Sequence, residues 1–252
     1  MARAWIRSRI DETRLALILL TRLPVGRLNS APPLSAAAWA YPLAGAVVGI
    51  VCGVAFLSAQ WLGLLPLPAA IISVAVGVVT TGGMHEDGLA DLADGFGGGG
   101  DRARKLEIMR DSRVGSYGVI ALCLALFLRS VLLAEVLPGH HPIFTLIAVG
   151  ALARAPLPFL MRILPAARDD GLGHSAAFRI GTAQAMVGGM IGLLLAALFL
   201  PAYFFGTIFA SVAAAVMTGY LARCQIGGFT GDVLGAAQIA CELAVLSTLA
   251  SG

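Results

Sequence analysis

Apolar residues in this chain come in long unbroken runs. They show neither the alternation of a half-buried strand nor the one-sided stripe of a soluble helix. The runs fall near 36–57, 62–81, 116–136, 143–162, 184–200, 205–222 and 235–250. Each approaches the roughly 20 residues that a helix needs to cross a bilayer. Six or seven transmembrane helices are therefore expected, with the first two and the 184–222 pair as tight hairpins. Small residues recur inside the runs, as at Gly45, Gly49 and Gly53 and at Gly188, Gly189 and Gly192. Such residues let helices approach closely in lipid. Residues 5–22 are different. There Ile6, Ile10, Leu15, Leu17, Leu19 and Leu20 mix with Arg7, Arg9, Arg14 and Arg22, the pattern of a helix lying in the membrane interface. The turn Leu23-Pro24-Val25-Gly26-Arg27 and the pair Pro32-Pro33 end it. The expected fold is all-α: a polytopic membrane bundle, an N-terminal amphipathic helix and turn (1–34), and a polar helical segment (82–114), in one domain over 1–252.

Composition agrees. Hydrophobic residues make up 58% of the 252 and charged residues 12%, where soluble domains average about 25% charged. So few charges cannot coat a soluble globule, and they do not suit a disordered chain. The net charge of +3 is no nucleic-acid signature, because the basic residues sit beside apolar runs and do not interleave with aromatics. Cys52, Cys123, Cys224 and Cys241 form no CxxC pair, so neither a zinc site nor a disulfide framework is expected. The short stretch Leu15–Leu20 has no cleavage site after it and does not read as a removable signal peptide.

The basic residues then set the topology. Connections near 58–61, 137–142 and 201–204 contain no Lys or Arg, while 1–27, 82–114, 162–182 and 223–234 hold fifteen of the seventeen. Only Arg129 and Arg154 fall within spans. Arginine excess marks the cytoplasmic side. The expectation is a bacterial inner-membrane protein with its N-terminus and all polar loops in the cytoplasm.

The chemistry concentrates on those loops. Seven of the fourteen acids lie between residues 85 and 113: Glu86, Asp87, Asp91, Asp94, Asp101, Glu107 and Asp111. On a helix at about 100° per residue, Asp87, Asp91 and Asp94 fall within about 60° of one another. Like charges on one stripe destabilise a helix. A divalent cation relieves them, and all-oxygen ligation with retained waters suits Mg²⁺ shared with substrate phosphates. The alternative is a solvated helix face. His85 is a candidate fourth ligand, a general base or a capping residue. Gly97–Gly100 lack the GK[ST] of a phosphate loop and read equally as a hinge. Arg102, Lys105, Arg110 and Arg113 are either phosphate clamps or membrane anchors.

Two further loops carry polar residues. In 165–175, Arg168, Gly171 and Gly173 suit an anionic substrate, or form an ordinary polar loop. In 227–232, Gly228 and Thr230 precede a helix whose backbone N–H groups suit an anion. Asp232 there is a metal ligand or an N-cap. Gln238, Glu242 and Arg154 are polar groups within apolar spans, so they should face the bundle interior or a cavity.

Five blocks carry a resemblance. They are Thr21-Arg22-Leu23-Pro24; Tyr41-Pro42-Leu43-Ala44-Gly45; Gly82-Gly83-Met84-His85-Glu86-Asp87-Gly88-Leu89-Ala90-Asp91-Leu92-Ala93-Asp94-Gly95; Glu107-Ile108-Met109-Arg110-Asp111-Ser112-Arg113-Val114-Gly115; and Gly227-Gly228-Phe229-Thr230-Gly231-Asp232-Val233-Leu234-Gly235. In order and spacing, from near residue 20 to residue 242, the chain resembles the adenosylcobinamide-GDP ribazoletransferases, the cobalamin (5′-phosphate) synthases. The resemblance implies a Mg²⁺-dependent membrane enzyme joining adenosylcobinamide-GDP to α-ribazole or its 5′-phosphate, with GMP released. It implies Asp87, Asp91 and Asp94 as metal ligands, with Asp111 or Asp232 completing the site, and His85 as base. Arg110, Arg113 and Arg168 would bind phosphate, with Ser112, Gly228 and Thr230 beside them. Other membrane-bound enzymes of the pathway and a second copy of the chain are candidate partners; nucleic acid is not. A CDP-alcohol phosphotransferase needs an Arg after the DGxxA block that is absent here. A polyprenyl transferase needs a second aspartate motif. A transporter would carry its acids inside the spans.

Overall fold

The computed structural model describes residues 2–28, 30–168 and 180–251. These fold as helices α1 (Ala2–Leu20), α2 (Tyr41–Trp61), α3 (Pro66–Thr81), α4 (Met84–Gly98), α5 (Arg102–Ile108), α6 (Ser116–Val136), α7 (Pro142–Leu152), α8 (Leu157–Ile163), α9 (Thr182–Phe199), α10 (Phe204–Ile226) and α11 (Gly231–Ala250). No strand occurs among the described residues; Ala166 and Phe229 form an isolated parallel bridge. Six segments are long and apolar enough to cross a membrane: Leu34–Trp61, Ser116–Gly139, Pro142–Ile163, Thr182–Phe199, Pro201–Ile226 and Gly231–Ala250. The chain is a multi-pass helical membrane protein. Its N-terminal helix and its spans fall close to where the apolar runs put them.

Two expected spans differ in form. The helix within 62–81 has only 16 residues, or about 24 Å at 1.5 Å per residue, short of a hydrocarbon core of about 30 Å. It bends by 90° into α4, and the pair counts as a seventh crossing only when taken together. The run at 143–162 is divided into α7 and α8, because Pro156 offers no backbone N–H and caps the second helix.

Packing follows residue size. α2 and α7 cross on glycines: a Cβ at Gly45 would lie 2.0 Å from the Gly150 carbonyl oxygen, and one at Gly49 2.1 Å from that of Leu146. The outward faces of α6, α9 and α10 stay apolar and exposed, as at Phe127, Leu194 and Phe209, which lipid satisfies. One apolar cluster, including Leu15, Leu20, Tyr41, Met161 and Phe229, underlies the polar loops. A second, including Phe56, Val74, Leu133 and Leu246, fills the opposite end.

α1 joins the first cluster through Leu15, Ala16 and Leu20 while Trp5, Ile6 and Ile10 remain exposed. Its buried Glu12 accepts hydrogen bonds from Trp39 Nε1 at 2.6 Å, Arg9 at 2.6 Å and Ser8 Oγ at 3.0 Å.

Candidate active site

The site begins at the bend. Gly82 and Gly83 both take left-handed backbone, φ 70° and 71°, which a side chain resists. Their N–H groups close the end of α3 on Val79 O at 3.1 Å and Val78 O at 2.8 Å. The Thr21–Pro24 block braces the turn, with Arg22 N donating to Thr80 O at 2.7 Å.

Beyond the bend, α4 is wedged between α6 and α11. A Cβ at Gly88 would meet the Asp232 backbone at 2.9–3.0 Å, and one at Gly235 would meet His85 at 3.2 Å. The two glycines thus bring the acidic helix against the start of α11. At the far end, Asp94 accepts from the backbone N–H groups of Gly115 at 2.7 Å and Gly118 at 2.8 Å. It therefore caps α6, whose first N–H groups have no partner within the helix.

Between these contacts, at the level where α6 and α11 begin, lies the acidic cleft. Asp87 is exposed, Asp91 half-buried and Asp94 buried. Asp232 accepts from Thr230 Oγ1 at 3.1 Å and pairs with Arg168 at 3.4 Å. Burial, then the charges of Asp87, Asp232 and Asp94, push Asp91 from 3.8 up to about 7, with Arg168 opposing. Burial and the neighbouring carboxylates together outweigh Arg168 and leave Asp91 reluctant to ionise. Among the described residues, no three His, Cys, Asp or Glu side chains stand close enough to hold a metal ion as placed.

The polar loops share one face, and side chains stitch them together. Arg102 donates to the Ile226 carbonyl at 2.8 Å and the Ala167 carbonyl at 3.0 Å, and Lys105 bonds Gln225. Phe229 N donates to Pro165 O at 2.9 Å and Ala167 N to Phe229 O at 3.0 Å. Gly228 makes this pairing possible, since a Cβ there would lie 2.0 Å from Pro165 O.

A cavity of about 200 Å³ opens beside the cleft. His85, Asp87 and Asp232 stand at its edge, and Leu19, Leu20, Tyr41, Leu157, Met161 and Phe229 are among its walls. Deeper in the bundle lies a second, polar cluster. Arg129 on α6 pairs with Glu86 on α4 at 2.7 Å and with Glu242 on α11 at 3.0 Å. Gln238 donates to Glu242 at 2.8 Å, and Arg154 to the Gly150 carbonyl at 3.2 Å. Beside them is a cavity of about 30 Å³, room for one water molecule. The buried atoms His85 Nε2, Glu86 Oε2 and Arg154 Nε have no hydrogen-bond partner.

The profile of the cobalamin-5-phosphate synthase family matches residues 12–250. The chain belongs to that family. Among curated relatives it is 42% identical to the adenosylcobinamide-GDP ribazoletransferase of Mesorhizobium japonicum, over 95% of this chain and 93% of the relative. It is 43% identical to that of Azorhizobium caulinodans, over 94% of each, and 41% identical to that of Bradyrhizobium diazoefficiens, over 98% and 95%. No solved structure matches it.

For a cobalamin-5-phosphate synthase family member, the placement of the expected site residues is uneven. His85, Asp87 and Asp232 meet at one cavity, Asp91 adjoins Asp87 and Asp232, and Arg168 and Thr230 hold Asp232. Asp94 has both oxygens on the α6 backbone. Arg110, Asp111, Ser112 and Arg113 form the exposed turn leading to Gly115, outside the cavity lining. There Arg113 pairs with Asp111 at 2.6 Å and holds its carboxyl down at about 2. Arg102 and Lys105 serve as ties between loops. Gly228 serves a close approach. Gly171 and Gly173 lie outside the described residues. The interior placing expected for Gln238, Glu242 and Arg154 is observed. Sequence reading passed over Arg129 and gave Glu86 little weight. The available signal was the cost of an arginine inside an apolar run, which demands a partner.

Proposed function

We propose that this chain is an adenosylcobinamide-GDP ribazoletransferase, joining adenosylcobinamide-GDP to α-ribazole or its 5′-phosphate and releasing GMP. The observation that carries the reading is the family match over residues 12–250, which includes every block lining the acidic cleft. The ribose hydroxyl of the acceptor attacks the cobinamide-side phosphorus. A new P–O bond forms, the bond to the bridging oxygen breaks, and GMP leaves with the electron pair.

Asp87, Asp91 and Asp232 are the proposed Mg²⁺ ligands. Their all-oxygen chemistry fits a hard cation, and the elevated Asp91 marks a repulsion that a cation relieves. Mg²⁺ keeps several waters and shares substrate phosphates, so it does not need a preformed protein cage. When bound, it would neutralise charge on the diphosphate. Asp94 serves by fixing α4 to α6. Arg168, at the same carboxylates, is the proposed phosphate contact, and Arg110 and Arg113 sit on the adjoining turn. His85 is the proposed base; it lines the cavity beside Asp87, and its buried Nε2 lacks a partner.

The arginine-rich loops support a cytoplasmic site in a bacterial inner membrane. The test is an assay of the purified chain in nanodiscs with adenosylcobinamide-GDP and α-ribazole, with and without Mg²⁺. Metal-dependent release of GMP with a corrinoid product of the joined mass is expected; no product with both substrates bound overturns the reading.

A further inference from the structure

We propose that the cavity of about 200 Å³ beside the acidic cleft seats the flat aromatic base of the acceptor nucleoside, which in α-ribazole is a benzimidazole. The inference rests on the reaction proposed above and adds which part of which substrate goes where.

Position is the first argument. Asp87, His85 and Asp232 stand at one edge of the cavity. A nucleoside entering base-first would leave its ribose hydroxyls at the carboxylates, where the attacking oxygen is needed. Size is the second. Pockets for whole drug-sized ligands run to about 300–1,000 Å³, so about 200 Å³ suits one ring system better than a whole nucleotide or a corrin with its amide arms.

Chemistry is the third. The walls are Leu19 and Leu20 of α1, Leu157 and Met161 of α8, and Phe229, joined by Tyr41. The guanine of the donor carries an amide N–H, an amino group and a carbonyl, each costly to bury without a partner. The phosphates are worse. An N-linked benzimidazole has no donor and a single acceptor nitrogen, so apolar walls suit it. Met161 adds a polarizable sulfur that packs well against aromatic rings. The remaining rival is a lipid or detergent chain occupying the space.

The test uses the full chain in nanodiscs, with Met161→Trp to fill the cavity and Met161→Ala to enlarge it. Two readouts run in parallel: direct binding of α-ribazole, and steady-state KM for each substrate. Filling is expected to raise the acceptor Kd and KM at least about tenfold, the scale of a lost apolar contact. The donor KM should stay unchanged. Enlarging is expected to shift preference toward a riboside with a bulkier tricyclic base, a gain that misfolding cannot produce. If turnover persists and neither variant moves the acceptor terms, the base lies elsewhere, lipid fills the cavity, and the proposal falls while the reaction stands. If α-ribazole binds and Met161→Trp abolishes binding, but no variant and no wild type turns over, the seat stands and the reaction falls.

Discussion

Asp91 is where residue chemistry is most exposed to test. Burial, and then its acidic neighbours, push its carboxyl up to about 7 in the metal-free protein. An acid raised in the folded state binds a proton that the unfolded chain has already lost. It therefore subtracts stability as pH rises from about 3.8 to about 7, and no further above that. A cation reverses this, because binding requires the ionised carboxylate. The half-saturating Mg²⁺ concentration should fall as pH rises toward 7 and level off above it, as read by thermal shift of the detergent-solubilised protein titrated with Mg²⁺. Asp91→Asn should abolish that pH dependence and lower turnover at least about a hundredfold, comparable to losing one transition-state electrostatic contact. A variant that keeps Mg²⁺-dependent turnover would remove Asp91 from the ligand set.

Asp94 separates from Asp91 at the same scale. Its oxygens cap α6, and loss of a cap costs about 0.5–2 kcal/mol. Asp94→Ala should lower the melting temperature with or without Mg²⁺, while Asp94→Asn, which keeps one capping oxygen in place, recovers part of the loss. A direct ligand would show neither the metal-independent loss nor the recovery. Spacing alone put Asp94 on the same stripe as Asp87 and Asp91. The stripe is real, but it is wide enough to face two neighbours, and only the position of α6 decides which carboxylate turns to which.

At the scale of elements, Arg129 is the join. It links α4, α6 and α11 through Glu86 and Glu242, residues 43 and 113 positions away along the chain. Removing one partner of a buried ion pair costs about 3–5 kcal/mol. Arg129→Leu should sharply reduce folded yield or melting temperature in detergent. Arg129→Lys should recover little, because a point charge cannot serve two carboxylates as a planar guanidinium does. An unchanged melting temperature in both would show that α4 is held by packing alone. The α2–α7 crossing gives a steric counterpart. Gly150→Val should block assembly, since even a Cβ there would lie 2.2 Å from the Gly45 carbonyl oxygen, and recovery of monodisperse protein would measure it.

For the whole molecule the question is which face the polar loops present. Packing puts α1, the α4–α5 segment, residues 164–167 and the α10–α11 turn at one end. Contacts among Arg102, Ile226, Ala167 and Phe229 confirm that the loops meet. The proposed topology, argued from positive charge, has that end in the cytoplasm. A cysteine at Ser112 should resist a membrane-impermeant maleimide in intact cells, while one at Gly139 should react. Both changes are made in a chain with Cys123 and Cys224 replaced, since these native thiols are exposed. The opposite labelling pattern would invert the topology.

The sequence by itself determined the fold class, six of the seven expected spans to within about four residues, the meeting of the polar loops and the family. Hydropathy and arginine bias are sums over local composition, and the motif blocks are contiguous, so each is legible in one dimension. Tertiary structure alone decided the 90° bend at Gly82-Gly83, the capping of α6 by Asp94, the Glu86–Arg129–Glu242 join and the cavity at Met161. Each depends on which helix faces which. That is set by small-residue crossings such as Gly88 on Asp232, and no local pattern of hydrophobic and polar residues records it.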